Sequence, residues 1–511
     1  MIPGSTQIFG PPGCGKTETL MRLIEDRLND GLSPHRVAFV SFSRKSIEEA
    51  RDRAMERFSL DTKALPHFRT LHSTGFAALG LSYGDVLSGA DYKALGKMLG
   101  EEFNMTVRPE EGALLPTDLK RGSRYIQIID RARYRMIPLE QEWKDHDTHD
   151  ISLFKAKQIA DQVTEYKSKL GKIDYVDMIN MYVSMAEVAP AKVLIVDEAQ
   201  DLTPLQWEMV KKMAAVAEEV WLAGDDDQAI HRWTGVDVKQ FTSMSESRIV
   251  LDQSYRLPKQ VFDVGERIVK RIKDRVPKHY RPTPEEGRVQ WHYDLESVPL
   301  DRGSWTIMGR TNAIVAEMAA EVQRMGYYYS LKGATPITQA QARAIQTWRE
   351  LCNGRKVDLH LIKELYELVP KQGDKAVVRR GASRLLESVA PDSTLSIEEL
   401  ETEFGMIPRG DDQGRPDAFE VLNLGNDMRL YLGHIEASGE DITKPPRIKL
   451  STFHAMKGGE DDNCVVSLAT TKTCSESRYP DDEHRAFYVG VTRARRELHI
   501  LDTNRRYKYP L

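Results

Sequence analysis

The chain has 511 residues, too many for one hydrophobic core, and its 41% hydrophobic and 29% charged content is that of a soluble globular protein of about three or four domains. No apolar run approaches the roughly 20 residues that span a bilayer, and Met1 leads directly into strand-forming sequence, so neither a membrane segment nor a signal peptide is expected. A net charge of −5 neither advertises nor excludes a polyanion partner, because a groove needs only local positive charge; the four scattered cysteines lack paired metal-ligand spacing and fit a reduced cytosol.

The first predicted element is a strand over Gln7, Ile8 and Phe9, followed by GPPGCGKT, which fits the phosphate-loop pattern G-x-x-x-x-G-K-[ST]. A helical pattern follows, with Leu20, Leu23, Ile24 and Leu28 at spacings of three and four. The stretch Gly10, Pro11, Pro12, Gly13, Cys14, Gly15, Lys16, Thr17 and Glu18 is thus the expected binding loop for ATP. Its glycines let backbone N–H groups curl around phosphate oxygens, at a helix terminus that carries partial positive charge. Lys16 would neutralise the β and γ phosphates, and the Thr17 hydroxyl would join Asp197 in holding Mg2+.

Next come VAFVSFSRK, a strand, turn and helix (Ile47 to Met55), and FRTLHSTGF, which gathers Arg69, Thr70, His72 and Ser73. Leu194, Ile195 and Val196 then form an apolar run typical of a strand buried on both faces, and Asp197 and Glu198 stand where it ends. Ligands of open α/β sheets bind at that carboxyl edge. One acid suits a magnesium ion and its neighbour suits a water to be oriented or deprotonated. The strand VWLAG ends in DDDQAIHRW, with Gln228 just beyond it.

The second half repeats strand, turn and helix without a phosphate loop: LDQSYR, WTIMGRTNA, KLSTFHAMKGGE (strand, turn and helix start) and AFYVGVTRARRELHIL, read as a helix containing Arg493 and a final strand. A second sheet of this kind makes sense if it closes over the ATP held by the first and supplies an arginine. The fold class is α/β: two doubly wound parallel sheets. The acids around Asp411 and Asp412 have generic spacing and form no nuclease constellation.

In this order, the phosphate loop, VDEAQD, GDDDQ, SYR, STFHAMKG and YVGVTRAR resemble the superfamily 1 DNA helicases of the UvrD/Rep/PcrA type. DEAQD together with YVGVTRA sets the chain apart from the RecD/Dda branch. The resemblance implies two RecA-like lobes, 3′-to-5′ movement along single-stranded DNA, and unwinding of duplex at single-strand junctions. It implies magnesium at Asp197, water activation by Glu198, γ-phosphate sensing by Gln228, and arginine fingers at Arg256 and Arg493 from the second lobe. Tyr255 would stack on the base and Glu460 would contact the ribose. Gly458-Gly459-Glu460 stands where the family has Gly-Leu-Glu, and the extra glycine loosens the backbone. The family's upstream adenine-reading glutamine has no counterpart among the nine residues before Gly10, where Gln7 falls within the strand, so poor discrimination between ATP and GTP is expected. Phe42, Trp233 and His454 match positions that contact single-stranded DNA, with Thr70, His72, Arg310 and Thr452 as phosphate-backbone contacts.

The expected layout is a first lobe, 1A, over 1–82 and 173–254, interrupted by a helical insertion, 1B, over 83–172. A second lobe, 2A, would take 255–333 and 447–511, interrupted by a second insertion, 2B, over 334–446, with helices at Ala340 to Leu351 and Leu359 to Leu368. Both insertions are short for the family. The expected product is a monomeric ATP-driven helicase of a phage or bacterial cytosol, associated with the nucleoid. The alternatives are a single-strand translocase that displaces proteins with little unwinding, and an ATP-gated DNA-binding scaffold.

Overall fold

The structure, a computed structural model, describes residues 1–108, 113–116, 121–145, 151–189, 191–410, 414–422 and 424–511. Asp411 and Asp412 lie outside these described residues. The chain divides into two compact units: Met1–Arg288 with Glu476–Arg496 and Leu511, and Val289–Ser475 with Glu497–Pro510.

The first unit is built on a six-stranded sheet of β1 (Thr6–Phe9), β2 (Val37–Ser41), β3 (Phe68–Thr70), β4 (Val193–Asp197), β5 (Glu219–Gly224) and β6 (Ser247–Val250). Its order is β3-β2-β4-β5-β1-β6, and every neighbouring pair is parallel. Successive residues alternate between two cores. Phe9, Val40, Leu194, Val196 and Leu222 enter one, while Ile8, Phe39, Ile195 and Ala223 enter the other. Burial on both faces explains why these strands read as unbroken apolar runs rather than alternating ones. Because all strands run the same way, their polar ends collect at one edge, with Ser41 level with Asp197 and Phe9 level with Gly224.

The 83–172 stretch belongs to this unit and is mostly helical, with helices Gly89–Leu99, Arg121–Arg135, Leu139–Asp145 and Leu153–Leu170. It also holds an antiparallel pair, Met105–Arg108 with Ala113–Pro116, that helical periodicity did not signal. Tyr92, Phe103, Tyr125, Ile128 and Ile159 give it a core of its own.

Another six-stranded sheet, most of whose residues fall in the second unit, comprises β7 (Arg288–His292), β8 (Trp305–Gly309), β9 (Tyr329–Leu331), β10 (Ile448–Thr452), β11 (Asp461–Ser467) and β12 (Ala494–Leu501). Its order is β9-β10-β8-β11-β12-β7, with β8 parallel to both β10 and β11. The anticipated helices are present as Gln339–Cys352 and Leu359–Leu368. Thr338 caps the first with a reciprocal Gln341 bond, and Trp348, Leu351, Ile362 and Leu365 share one core with Trp305 and Ile307 of the sheet. No helix starts after β10, contrary to the sequence expectation: Phe453 to Gly458 form a turn, and the next regular element is β11. Gly458, at φ +77°, takes a left-handed conformation there, and a Cβ on Gly459 would stand 2.5 Å from Met456 Cε. No helix among the described residues is long and apolar enough to cross a membrane.

Candidate active site

The phosphate loop connects β1 to helix Lys16–Asn29 at the carboxyl edge of the first sheet. Gly13 and Gly15 have φ of +73° and +70°, values at which a side chain is strained. Gly13 also has no room for one, since an added Cβ would stand 2.3 Å from Arg256 Cβ. The helix begins at Gly15 with no side chain capping its first turn, which leaves its N–H groups suited to an anion. Burial, with help from Asp225, pushes the Cys14 thiol up to about 12, so it stays neutral and unreactive. Glu18 faces outward and pairs with Arg22 and Arg57 at 3.0 and 2.9 Å.

Lys16 Nζ donates to Glu198 Oε1 at 2.6 Å and lies 3.9 Å from Asp197 Oδ1. Burial opposes the ammonium charge, but Glu198 and Asp197 more than reverse this and hold Lys16 protonated well above its usual range. Burial, added to by Glu198, raises the Asp197 carboxyl despite Lys16. Glu198 has φ +52°, an uncommon left-handed conformation that costs on the order of 1–3 kcal/mol in a residue with a side chain. Asp197 and Thr17 offer a carboxylate and a hydroxyl, a hard-oxygen set that fits magnesium, which keeps waters and phosphate oxygens at its other positions.

Arg256, Tyr255 and Arg493 all fall in the first unit, whereas the sequence reading drew them from the second lobe. The reason is local packing. Tyr255 N donates to Gly13 O at 2.8 Å, and Ser254 Oγ donates to Pro12 O at 2.8 Å. The Tyr255 ring is 76% exposed and flanks Gly15, as a stacking platform for a base would. Arg493 is buried, and its Nη2 donates to Gln228 Oε1 at 2.8 Å. It stands in the turn after helix Pro480–Val491 rather than inside that helix. Gln228 Nε2 donates in turn to Asp225 Oδ2 at 2.7 Å.

Asp225, Asp226 and Asp227 are buried and close enough together to share a cation. That cation is the ammonium of Lys278, 3.1 Å from Asp225 and 2.7 Å from Asp227, and bonded also to Asp226. Arg275 adds a two-pronged contact to Asp227 at 2.8 and 2.7 Å, and Arg485 Nε donates to the Asp226 carbonyl at 2.9 Å. The cluster is an internal ion network centred on the Lys278 ammonium.

Beyond Gln228 the chain turns through Arg232–Thr234, where Trp233 is half-buried. His231 links Trp233 to Phe42, with ring centroids 6.3 and 5.6 Å away respectively. Phe42 also packs on the core. Thr70 and His72 are engaged within the protein. Thr70 is buried and caps helix Leu71–Ala78, its Oγ1 accepting from Ser73 N at 3.1 Å. His72 is buried beside Tyr134 and Tyr175, and burial lowers it to about 4, so it is a neutral packing residue at physiological pH.

Arg310, Thr452, His454 and Glu460 belong to the second unit. Arg310 follows β8 directly, and its neighbour Gly309 is level with Thr452 at the end of β10. Thr452 Oγ1 accepts from Ala455 N at 3.3 Å, which shapes the turn that bears His454. Glu460 is exposed at the start of β11.

Ser254, Gln200, Lys278, Arg275 and Arg485 are polar groups, buried or half-buried in or beside the motifs, that were not foreseen. Only Gln200, inside DEAQD, and Ser254, inside SYR, carried a local signal.

The UvrD/REP helicase N-terminal domain matches residues 2–248, and the UvrD-like helicase C-terminal domain matches residues 336–505. The chain is 20% identical to ATP-dependent DNA helicase PcrA of Leuconostoc citreum over 626 aligned positions, covering 99% of this chain and 81% of that protein. PcrA of Staphylococcus epidermidis is 23% identical over 373 positions, and that of Staphylococcus aureus 22% over 370. Each of these two alignments covers 67% of this chain, which spans about half, 47%, of the staphylococcal proteins.

Proposed function

The chain belongs to the UvrD/REP family of ATP-dependent DNA helicases, and we propose that it hydrolyses ATP to move 3′ to 5′ along single-stranded DNA and to unwind duplex at a junction. The observation that carries this reading is the continuity of the nucleotide site with the Trp233 turn. Arg493 bonds Gln228, and the same segment runs on to His231 and Trp233.

In the proposed cycle, the incoming γ-phosphate draws Lys16 from Glu198, and the freed carboxylate orients a water for in-line attack. Magnesium, held by Asp197 and Thr17, would neutralise phosphate charge. Arg256 and Arg493 stabilise the charge of the transition state, a contribution on the order of 10³–10⁵ in turnover for such arginines. Tyr255 takes the base and Glu460 the ribose. Trp233, with Phe42 and His231, grips bases by stacking, worth about 1–3 kcal/mol per base regardless of sequence. His454, Thr452 and Arg310 contact the strand from the second sheet. Binding and release of nucleotide alternate the grip on the strand, which so advances.

The test is ATPase activity with and without single-stranded DNA. The reading expects strong stimulation by DNA, abolished in Glu198→Gln; equal rates with and without DNA would favour an ATP-gated scaffold instead.

A further inference from the structure

Gln200 is the buried residue that joins the water-activating carboxylate to the Gln228 arm. Its Oε1 accepts from Asp225 N at 2.9 Å, while its Nε2 donates to Glu198 Oε2 at 2.6 Å and to Asp201 Oδ2 at 3.1 Å. The amide has one permissible orientation here: a backbone N–H can only donate and ionised carboxylates can only accept. The backbone makes room for this contact. A Cβ on Gly224 would stand 2.3 Å from Gln200 Oε1, so glycine at the end of β5 lets the amide reach Asp225.

The two oxygens of Glu198 are therefore held by groups of different fate. Oε1 is held by Lys16, which an arriving γ-phosphate competes for; Oε2 is held by Gln200, which the phosphate does not displace. On the far side Asp225 accepts from Gln228, and Gln228 accepts from Arg493. We propose that Gln200 is a positioning residue, which keeps Glu198 aimed once Lys16 has turned to phosphate and ties its orientation to the Asp225–Gln228–Arg493 arm. This rests on the reading of Glu198 as the water-activating group.

The test uses the full chain and steady-state ATPase at saturating single-stranded DNA. Gln200→Leu keeps the bulk and removes the donor, and is expected to lower kcat by about 100-fold, within the range of a mispositioned general base. KM for ATP and the affinity for a fluorescent ATP analogue should stay within about threefold, because the lost interaction acts on the reacting water rather than on binding. Combined with Gln228→Leu, the effects should fall well short of multiplying, as for members of one network. Gln200→Glu keeps the acceptor for Asp225 but faces Glu198 with a second carboxylate, and should lose kcat to the same extent; it carries the test if the leucine variant does not fold. A folded variant with wild-type kcat, or single effects that multiply, would overturn the proposal. If the wild type itself shows no DNA-stimulated ATPase, it is the assignment of Glu198 that fails, and Gln200 with it.

Discussion

Lys16 Nζ and Glu198 Oε1 form a 2.6 Å ion pair within the phosphate loop's own site, so the cation proposed to meet phosphate and the base proposed to activate water neutralise each other. On this proposal ATP breaks the pair when it binds productively. Glu198→Gln should therefore lower kcat by about 10²–10⁴, yet bind nucleotide at least as tightly as the wild type, because Lys16 loses its nearest anionic partner and keeps only Asp197, at 3.9 Å. Equilibrium binding of a fluorescent ATP analogue checks this. A loss of affinity beyond about tenfold would mean that the pair organises the loop rather than competing with phosphate.

Nucleotide selectivity should be weak. The Gln7 amide is fully buried in β1 and spends its Nε2 on the Phe241 carbonyl at 2.8 Å. A site built to hydrogen-bond a substrate edge rejects analogues by about 10⁴–10⁵; a stacking platform such as Tyr255 has no such lever. GTP and ATP should differ by less than about tenfold in kcat/KM. A difference of three orders or more, measured in parallel steady-state assays, would contradict this.

The Lys278 ammonium is the hub of three buried carboxylates, so Lys278→Met should leave them uncompensated. Removing one partner of a buried ion network costs about 3–5 kcal/mol, and urea denaturation should report a loss of that size. A variant as stable as the wild type would show that solvent or a neighbouring cation takes the place of the lysine.

His72 makes stability depend on pH. Burial lowers its folded value to about 4, below the ordinary histidine range, so the unfolded chain takes up the proton more readily. The associated stability is fully present above about pH 6.5 and is lost as pH falls towards 4, a loss of about 2 kcal/mol by pH 5. His72→Gln should flatten the fall in urea midpoint between pH 8 and pH 5 relative to the wild type. An unchanged slope would assign the acid sensitivity to other groups.

The parts of this molecule that were legible in the sequence are those whose chemistry is local. A phosphate loop must be glycine-rich within a few residues, and doubly buried strands are apolar along most of their length, so β1, β2, β4 and β5 could be read directly. Helical periodicity likewise placed Gln339–Cys352 and Leu359–Leu368 to within a residue or two. Long-range pairing leaves no such trace. Nothing near Lys278 announces the aspartates some fifty positions earlier, and nothing in Ser254 announces Pro12. The surroundings of His72 are equally non-local. Its motif position suggested DNA, while the tyrosines that bury it, Tyr134 and Tyr175, come from distant segments.

Directional movement on DNA driven by this site is read out by partial duplexes that bear a single-stranded tail. With ATP and magnesium, the protein should separate a duplex bearing a 3′ tail, leave a 5′-tailed one largely intact, and do neither as Glu198→Gln. Displacement of a protein bound to the 3′ tail without strand separation would mark a translocase. Preference for the 5′ tail would contradict the account.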